Sequence, residues 1–147
     1  MVSNSIPHNK GVYLLVINVD EDIVVKTRRR IFDINRGTYI YVGSARGNGG
    51  LRSRLTRYLY KSGKLFWHID YLLSSNSTKL VEFCFYVTDE DLESFLASIL
   101  IKMCYPITGF GSSDKKRDPS HLFRCNHLDS VFNKLYRLLP GLKCITI

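Results

Sequence analysis

Residues 37–58 read GTYIYVGSARGNGGLRSRLTRY, an aromatic and β-branched run, a glycine loop, and then a segment dense in arginine. Laid on a helix at ~100° per residue, Leu51, Leu55, Tyr58 and Leu59 share an apolar arc. Arg54 and Tyr58 sit one turn apart at its border, with Arg57 and Lys61 further round. The chain carries 21 Lys and Arg against 13 Asp and Glu, a net charge of +8. The basic residues cluster: Lys26 with Arg28, Arg29 and Arg30; Arg46 with Arg52, Arg54, Arg57 and Lys61; and Lys115 with Lys116 and Arg117. A small basic domain of this kind suggests a polyanionic partner. Arg28, Arg29, Arg30, Arg46, Arg52, Arg57 and Lys61 are its candidate phosphate contacts. Missing motifs narrow the chemistry. There is no GxxxxGK[ST] or GxGxxG phosphate cradle, no GxSxG elbow, and no CxxC pair. What remains is a constellation of Tyr13, Tyr41, Arg54, Tyr58 and Glu93. His68, between Trp67 and Asp70, stands beside it as a second titratable candidate.

The elements that must position these groups follow from patterning. GVYLLVINVD from Gly11 reads as a buried strand, IVVKT at 23–27 as a second, IFDI as an extended piece and TYIYVGS as a strand. The early chain is thus expected to form an antiparallel hairpin or meander. LFWHIDYLLSS reads as a short helix or turn, and KLVEFCFYVT as a strong strand. Thr88, with Asp91 three residues on, predicts a capped helix start. Leu92, Phe95, Leu96, Ile99, Leu100 and Met103 then keep helical period. YPITGFGSSDKKRDPS reads as a loop without structure of its own, of the kind often functional or mobile. HLFRC follows as a short strand. LDSVFNKLYRLL is a last helix, stopped by Pro140-Gly141.

The whole chain of 147 residues is expected to form a single domain. At 45% hydrophobic and 12% aromatic it can bury a sizeable core. No apolar run approaches the ~18–20 residues needed to span a membrane. The polar start of the chain lacks a signal-peptide core, so a cytoplasmic location is expected. In keeping with that, Cys84, Cys104, Cys125 and Cys144 are expected to be buried thiols.

GVY at 11–13, YVGSA at 41–45, the arginine helix LRSRLTRYL and the later Glu93 together resemble the GIY-YIG endonuclease superfamily. The set is similar to the N-terminal nuclease domain of the bacterial excision-repair incision protein, where a tyrosine also follows the helix arginine by four. YVGSA, WHIDYLL, GFGSSD and SHLF look closer still to the Uri-type branch, stand-alone domains common in archaea. The resemblance runs from about Lys10 to Phe123. It implies an α/β fold, a small mixed and largely antiparallel central sheet flanked by helices. It implies hydrolysis of DNA phosphodiesters, in repair or branched-DNA processing, with one Mg²⁺ or Mn²⁺ held by Glu93. Arg54 would stabilise charge on the phosphate and Tyr58 would bind or orient it. Tyr41, helped by Tyr13, would position the attacking water or take its proton. A tyrosine base needs a nearby cation, because its free pKa is ~10. His68 is the other candidate base. RNA and branched DNA are alternative substrates, and a non-catalytic nucleic-acid-binding module is the alternative function. The chain also departs from the pattern. Residues 14–40 make a longer insert than the usual short hairpin, and the loop from Gly43 to Arg54 is extended. KKRDP stands where Uri-type relatives often carry cysteines, so no metal or redox role is read into that loop. Asp114 and His121 fall in branch motifs and receive no role.

Overall fold

The computed structural model describes residues 2–61 and 63–147. Strand β1 (Gly11–Val19) is buried at nearly every position, because both faces of the sheet around it are covered. Its residues alternate between two cores. Tyr13, Leu15 and Ile17 enter one, while Val12 and Leu14 enter the other. β1 pairs along its whole length with β4 (Gly37–Ala45) on one side and β5 (Thr78–Val87) on the other. β7 (Leu122–Arg124) joins β4, β6 (Tyr105–Pro106) joins β7, and β8 (Lys143–Thr146) joins β5. The sheet order is β6-β7-β4-β1-β5-β8, and every pairing is antiparallel. The expected α/β class with a central sheet flanked by helices is what forms.

Two helices and a hairpin cover the first face. Helix α1 (Gly50–Leu59) buries Leu51, Leu55 and Tyr58, and α2 (His68–Leu73) buries Ile69, Leu72 and Leu73. The insert between the motif tyrosines is a hairpin of its own, β2 (Ile23–Lys26) and β3 (Ile31–Ile34), separate from the main sheet. It folds back over the same core through Val25, Phe32 and Ile34. The early chain, expected as an antiparallel hairpin or meander, is antiparallel but divided between two sheets. On the second face, α3 (Glu93–Met103) buries Leu96, Ala97 and Leu100, and α4 (Leu128–Leu138) buries Val131 and Leu135.

Four expectations need correction. α3 begins at Glu93 rather than at Thr88; its N-cap residue, Leu92, makes no side-chain cap, and the Glu93 N–H donates to Asp91 Oδ1 at 3.4 Å. The Thr88 hydroxyl instead accepts the Glu90 N–H in the approach turn. Phe95 and Met103, counted on the apolar face, are exposed. The segment after Tyr105 is not a free loop. Gly109 N–H bonds Pro119 O and His121 N–H bonds Phe110 O, while the Phe110 ring is fully buried. The cysteines are not thiols: Cys84 pairs with Cys144 and Cys104 with Cys125. β8, which the sequence reading missed, brings Cys144 directly opposite Cys84 in register. Cys104 ends α3 and Cys125 follows β7, with their Cα atoms 4.7 Å apart. Among the described residues, no helix is long and apolar enough to cross a membrane.

Candidate active site

Tyr13 and Gly43 face each other across the β1–β4 ladder. The Tyr13 ring lies so close over Gly43 that a Cβ there would meet ring atoms at 2.2–2.6 Å. Only a glycine allows this approach, and it lets the Tyr13 hydroxyl reach the Tyr58 hydroxyl, 2.8 Å away on α1. The Arg54 guanidinium sits beside both hydroxyls. Burial alone would lower the Arg54 pKa, but the neighbouring Tyr13 and Tyr58 oxygens outweigh it and the net shift is upward. Arg54 is thus a fixed cation in a half-buried position. Its Cζ also lies 5.8 Å from the centre of the Trp67 ring.

Tyr41 is held from the other side. Gly111 sits at φ +72°, and a Cβ there would press on the Tyr41 ring at 2.9 Å. The Gly111 N–H donates to His68 Nδ1 at 2.9 Å. With Nδ1 occupied as an acceptor, the neutral imidazole carries its proton on Nε2. Burial first, and Arg30 second, push the His68 pKa down, so the ring stays neutral. His68 therefore presents a donor, which runs against its role as a base. The same correction applies to the tyrosines. Burial, then the neighbouring Tyr58, raises Tyr13 and Tyr41 well above the usual tyrosine value, and Arg54 only partly offsets it. Both hydroxyls stay protonated at neutral pH.

Glu93 opens α3 from the opposite face of the sheet and lines the same cleft as Tyr13, Tyr41 and Arg54. One carboxylate oxygen lies 3.3 Å from His121 Nδ1. His121, fully buried, places its Nε2 2.7 Å from Asp118 Oδ2. Ser94, next to Glu93 on the helix, donates to the same Asp118 oxygen at 2.7 Å. The result is a closed ring of contacts that fixes the orientation of Glu93. Burial raises its pKa above the ordinary glutamate value, while His121 pulls the other way. Asp118 and His121 were missed as partners because nothing in their spacing relates them to Glu93.

The cleft holds about 250 Å³. It gathers Tyr13, Tyr41, Arg54, Glu93 and, among the basic candidates, Arg46. Asp91, Asp114 and Lys115 also line it, and Asp91 is ion-paired with Lys115. Tyr58 lies behind Tyr13 rather than on the cleft wall. His68 lines an adjoining cavity that shares Tyr41 and Gly111 with the cleft. Arg28, Arg29 and Arg30 lie exposed at the tip of the β2–β3 hairpin. Arg52, Arg57 and Lys61 do not join them. Arg52 Nε donates to Ile6 O at 2.6 Å and ties down the start of the chain. Arg57 Nη2 donates to Lys64 O and Asp70 Oδ2, each at 2.6 Å. Lys61 lines a separate cavity beside Arg57 and Tyr58. Arg52 and Arg57 are thus internal fasteners, not the free phosphate contacts that the basic cluster suggested.

The donor chemistry bears on a metal. Among the described residues, no three His, Cys, Asp or Glu side chains gather into a cage. A hard ion that keeps most of its waters needs little more than one oriented carboxylate in an open polar cleft, and Glu93 is that.

A six-stranded antiparallel sheet between two helical layers, with an arginine, two buried tyrosines and a tethered carboxylate on one cleft, defines a small α/β domain. Over residues 12–144 the chain matches the family described as Domain of unknown function DUF123, and it belongs to that family. Searches of curated proteins and of solved structures return no match.

Proposed function

We propose that this protein is a divalent-metal-dependent DNA endonuclease of the GIY-YIG type, nearest to the Uri-type branch. One observation carries the reading. Tyr13 from β1, Tyr41 from β4, Arg54 from α1 and Glu93 from α3 are far apart in sequence, yet all four line one cleft. Each has chemistry suited to a phosphodiester, and each is held by neighbours rather than left to solvent.

In this reading the guanidinium fork of Arg54 grips two non-bridging phosphate oxygens and meets the charge that grows on them as the new bond forms. Tyr13 and Tyr58, bonded to each other, hold that guanidinium in place. The Tyr41 hydroxyl, protonated, orients the attacking water or a phosphate oxygen by hydrogen bonding. His68 contributes a second neutral donor from Nε2. In the metal-free protein burial opposes the phenolate of either tyrosine. Glu93, oriented by His121 and Asp118, would hold Mg²⁺ or Mn²⁺. Such an ion, when bound, supplies Lewis-acid stabilisation of the phosphoryl oxygens. Arg46 and the Arg28–Arg30 turn lie where the flanking backbone would run.

The test is Glu93→Gln, which keeps size and helix propensity but removes the charge a hard cation requires. With nicked, branched, single-stranded and duplex DNA and either metal, wild type should cut at least one substrate. Glu93→Gln should bind as tightly or tighter, and cut slower by orders of magnitude. A folded Glu93→Gln protein cutting at the wild-type rate in limiting metal would remove Glu93 from the mechanism. A wild type that binds DNA and cuts nothing would favour a non-catalytic binding module.

A further inference from the structure

Beside the cleft, three large apolar side chains stand in water: Leu65 is 43% exposed, Phe66 59% and Trp67 36%. They are not on a loose loop. Asp70 Oδ2 accepts the Phe66 N–H at 3.0 Å and the Trp67 N–H at 2.8 Å, and Arg57 clamps the same oxygen at 2.6 Å. The two rings meet edge to face with centroids 4.7 Å apart. A buried carboxylate thus holds a pair of aromatic rings out towards solvent. Their burial elsewhere would be favourable by about 25 cal/mol per Å² of apolar surface, so the exposure points to a partner.

The neighbours indicate which partner. Trp67 is a wall shared by the Glu93 cleft and the next cavity, of about 300 Å³, which it lines with Tyr41 and His68. Phe66 and His68 are shared in turn with a further cavity of about 360 Å³, walled by Arg28, Arg29 and Arg30. Guanidinium, ring, ring and guanidinium therefore follow one another along a continuous trough, from Arg54 to the hairpin tip. Arg30 is itself seated on the Phe32 ring, 5.1 Å from its centre. Cations spaced by aromatic faces match a single nucleic-acid strand, whose phosphates and unstacked bases alternate in the same way. A protein partner or an intact duplex offers no such alternation, because paired bases keep their faces stacked.

We propose that this trough binds a single-stranded DNA segment next to the scissile phosphate, with an unpaired base stacked on Trp67 and Phe66 and the following phosphates on Arg28, Arg29 and Arg30. The inference rests on the nuclease reading for the position of the cleft. It narrows the substrate class to DNA with an unpaired stretch beside the cut, such as a flap, a bubble or a branch.

Trp67 is the chain's only tryptophan, so intrinsic fluorescence reports on this ring alone. Full-length Glu93→Gln protein is titrated with a labelled single strand, a flap, a blunt duplex of the same sequence and the matching RNA strand. Fluorescence and anisotropy are read together. The expected result is saturable quenching by the single strand and the flap, with none by the duplex. Trp67→Ala and Phe66→Ala should each weaken single-strand binding roughly 5- to 150-fold, as loss of one stacked base does, with duplex binding unchanged and Trp67→Phe partly restored. Single-strand binding by anisotropy without quenching would overturn the proposal, as would equal losses for duplex and single strand. Quenching by RNA alone would overturn the choice of DNA. The two readings fail separately: quenching without any cleavage by wild type sinks the enzyme, and cleavage of duplex without quenching sinks the trough.

Discussion

Gly43→Ala tests the packing on which the cleft depends, whatever the cleft does. The new Cβ would sit 2.2 Å from Tyr13 Cζ, whereas ordinary van der Waals contact begins at 3.4 Å, so the ring must retreat by about 1.2 Å. Tyr13 has little room to do so, since it is buried beside Tyr41, Tyr58 and Leu51 in the first core. Overpacking of this size costs about 1–3 kcal/mol. A ring displaced that far breaks its 2.8 Å bond to Tyr58, unless Tyr58 follows it. Leaving buried hydroxyls unpaired adds about 1–3 kcal/mol. The expected loss is therefore about 2–6 kcal/mol in urea unfolding. Tyr13→Phe, which removes only the hydroxyl, should cost about 1 kcal/mol. Tyr13→Ala should relieve the clash, so that the double variant is more stable than the two single losses together imply, by at least about 0.5 kcal/mol. A Gly43→Ala protein within about 0.5 kcal/mol of wild type, or strict additivity in the double variant, would refute the reasoning.

The salt dependence of single-strand binding should separate the arginines: neutralising Arg28, Arg29 and Arg30 lowers the slope by roughly 0.7 per lost contact. Arg52→Gln and Arg57→Gln should leave the slope alone and lower the unfolding midpoint, and the reverse pattern would show that the fasteners are misassigned. Reduction should lower the thermal midpoint, because the bridges close separations of 60 and 21 residues, for which loop entropy alone gives about 4 and 3 kcal/mol. Alkylation of four cysteines in unreduced native protein after denaturation would refute both bridges. For pH, Glu93 is raised above an ordinary 4.5, so its ionised form is lost at a higher pH than usual as the solution is acidified. In cleavage, protons and the cation compete for this carboxylate, so the acid limb should move to lower pH as metal is raised, and a limb independent of metal concentration would contradict Glu93 as the ligand. Without metal the sign for folding is opposite. The folded state keeps a proton that the unfolded chain has released, so wild type should lose stability relative to Glu93→Gln as pH rises through that window.

How much of the fold was legible depended on whether the signal was local. β1, β4, β5 and α4 each carry a run or a period that one stretch of chain can specify alone. β8 does not: Lys143–Thr146 is short, only partly buried and exists because β5 has a free edge beside it. Its omission concealed the disulfides as well, since Cys144 meets Cys84 only through that pairing. The start of α3 went astray for a related reason. Thr88 and Asp91 have the spacing of a capping box, but the Thr88 N–H is taken by Lys10 O, which carries the ladder geometry one residue past β5. A tertiary bond there outweighs a local propensity.

For the site, the difference lies between groups placed by close approach and groups placed by long-range packing. Gly43 and Gly111 leave a mark in the sequence because no other residue fits under the Tyr13 and Tyr41 rings, so the motif that names those tyrosines is partly a record of steric contact. The wheel of α1 likewise placed Arg54 correctly, because its neighbours Tyr58 and Leu55 lie on the same helix. It failed for Arg57, and the basic cluster failed for Arg52; both point equally well towards solvent on a bare helix. Only the fold adds Ile6 O and Asp70 above them. A cationic residue on a helix flank is therefore ambiguous until its acceptors are known. Arg28, Arg29 and Arg30 differ because they occupy a hairpin tip, where the Thr27 N–H and hydroxyl bond the Arg30 backbone; Arg28 and Arg29 stand outside, and Arg30 folds over the Phe32 ring. The Glu93 carboxylate shows the converse. Its position at a helix start was legible, whereas its orientation comes from His121 and Asp118, delivered by a loop that the sequence presents as unstructured. The loop is ordered by burying Phe110, and that burial is what brings a histidine to the back of the acid.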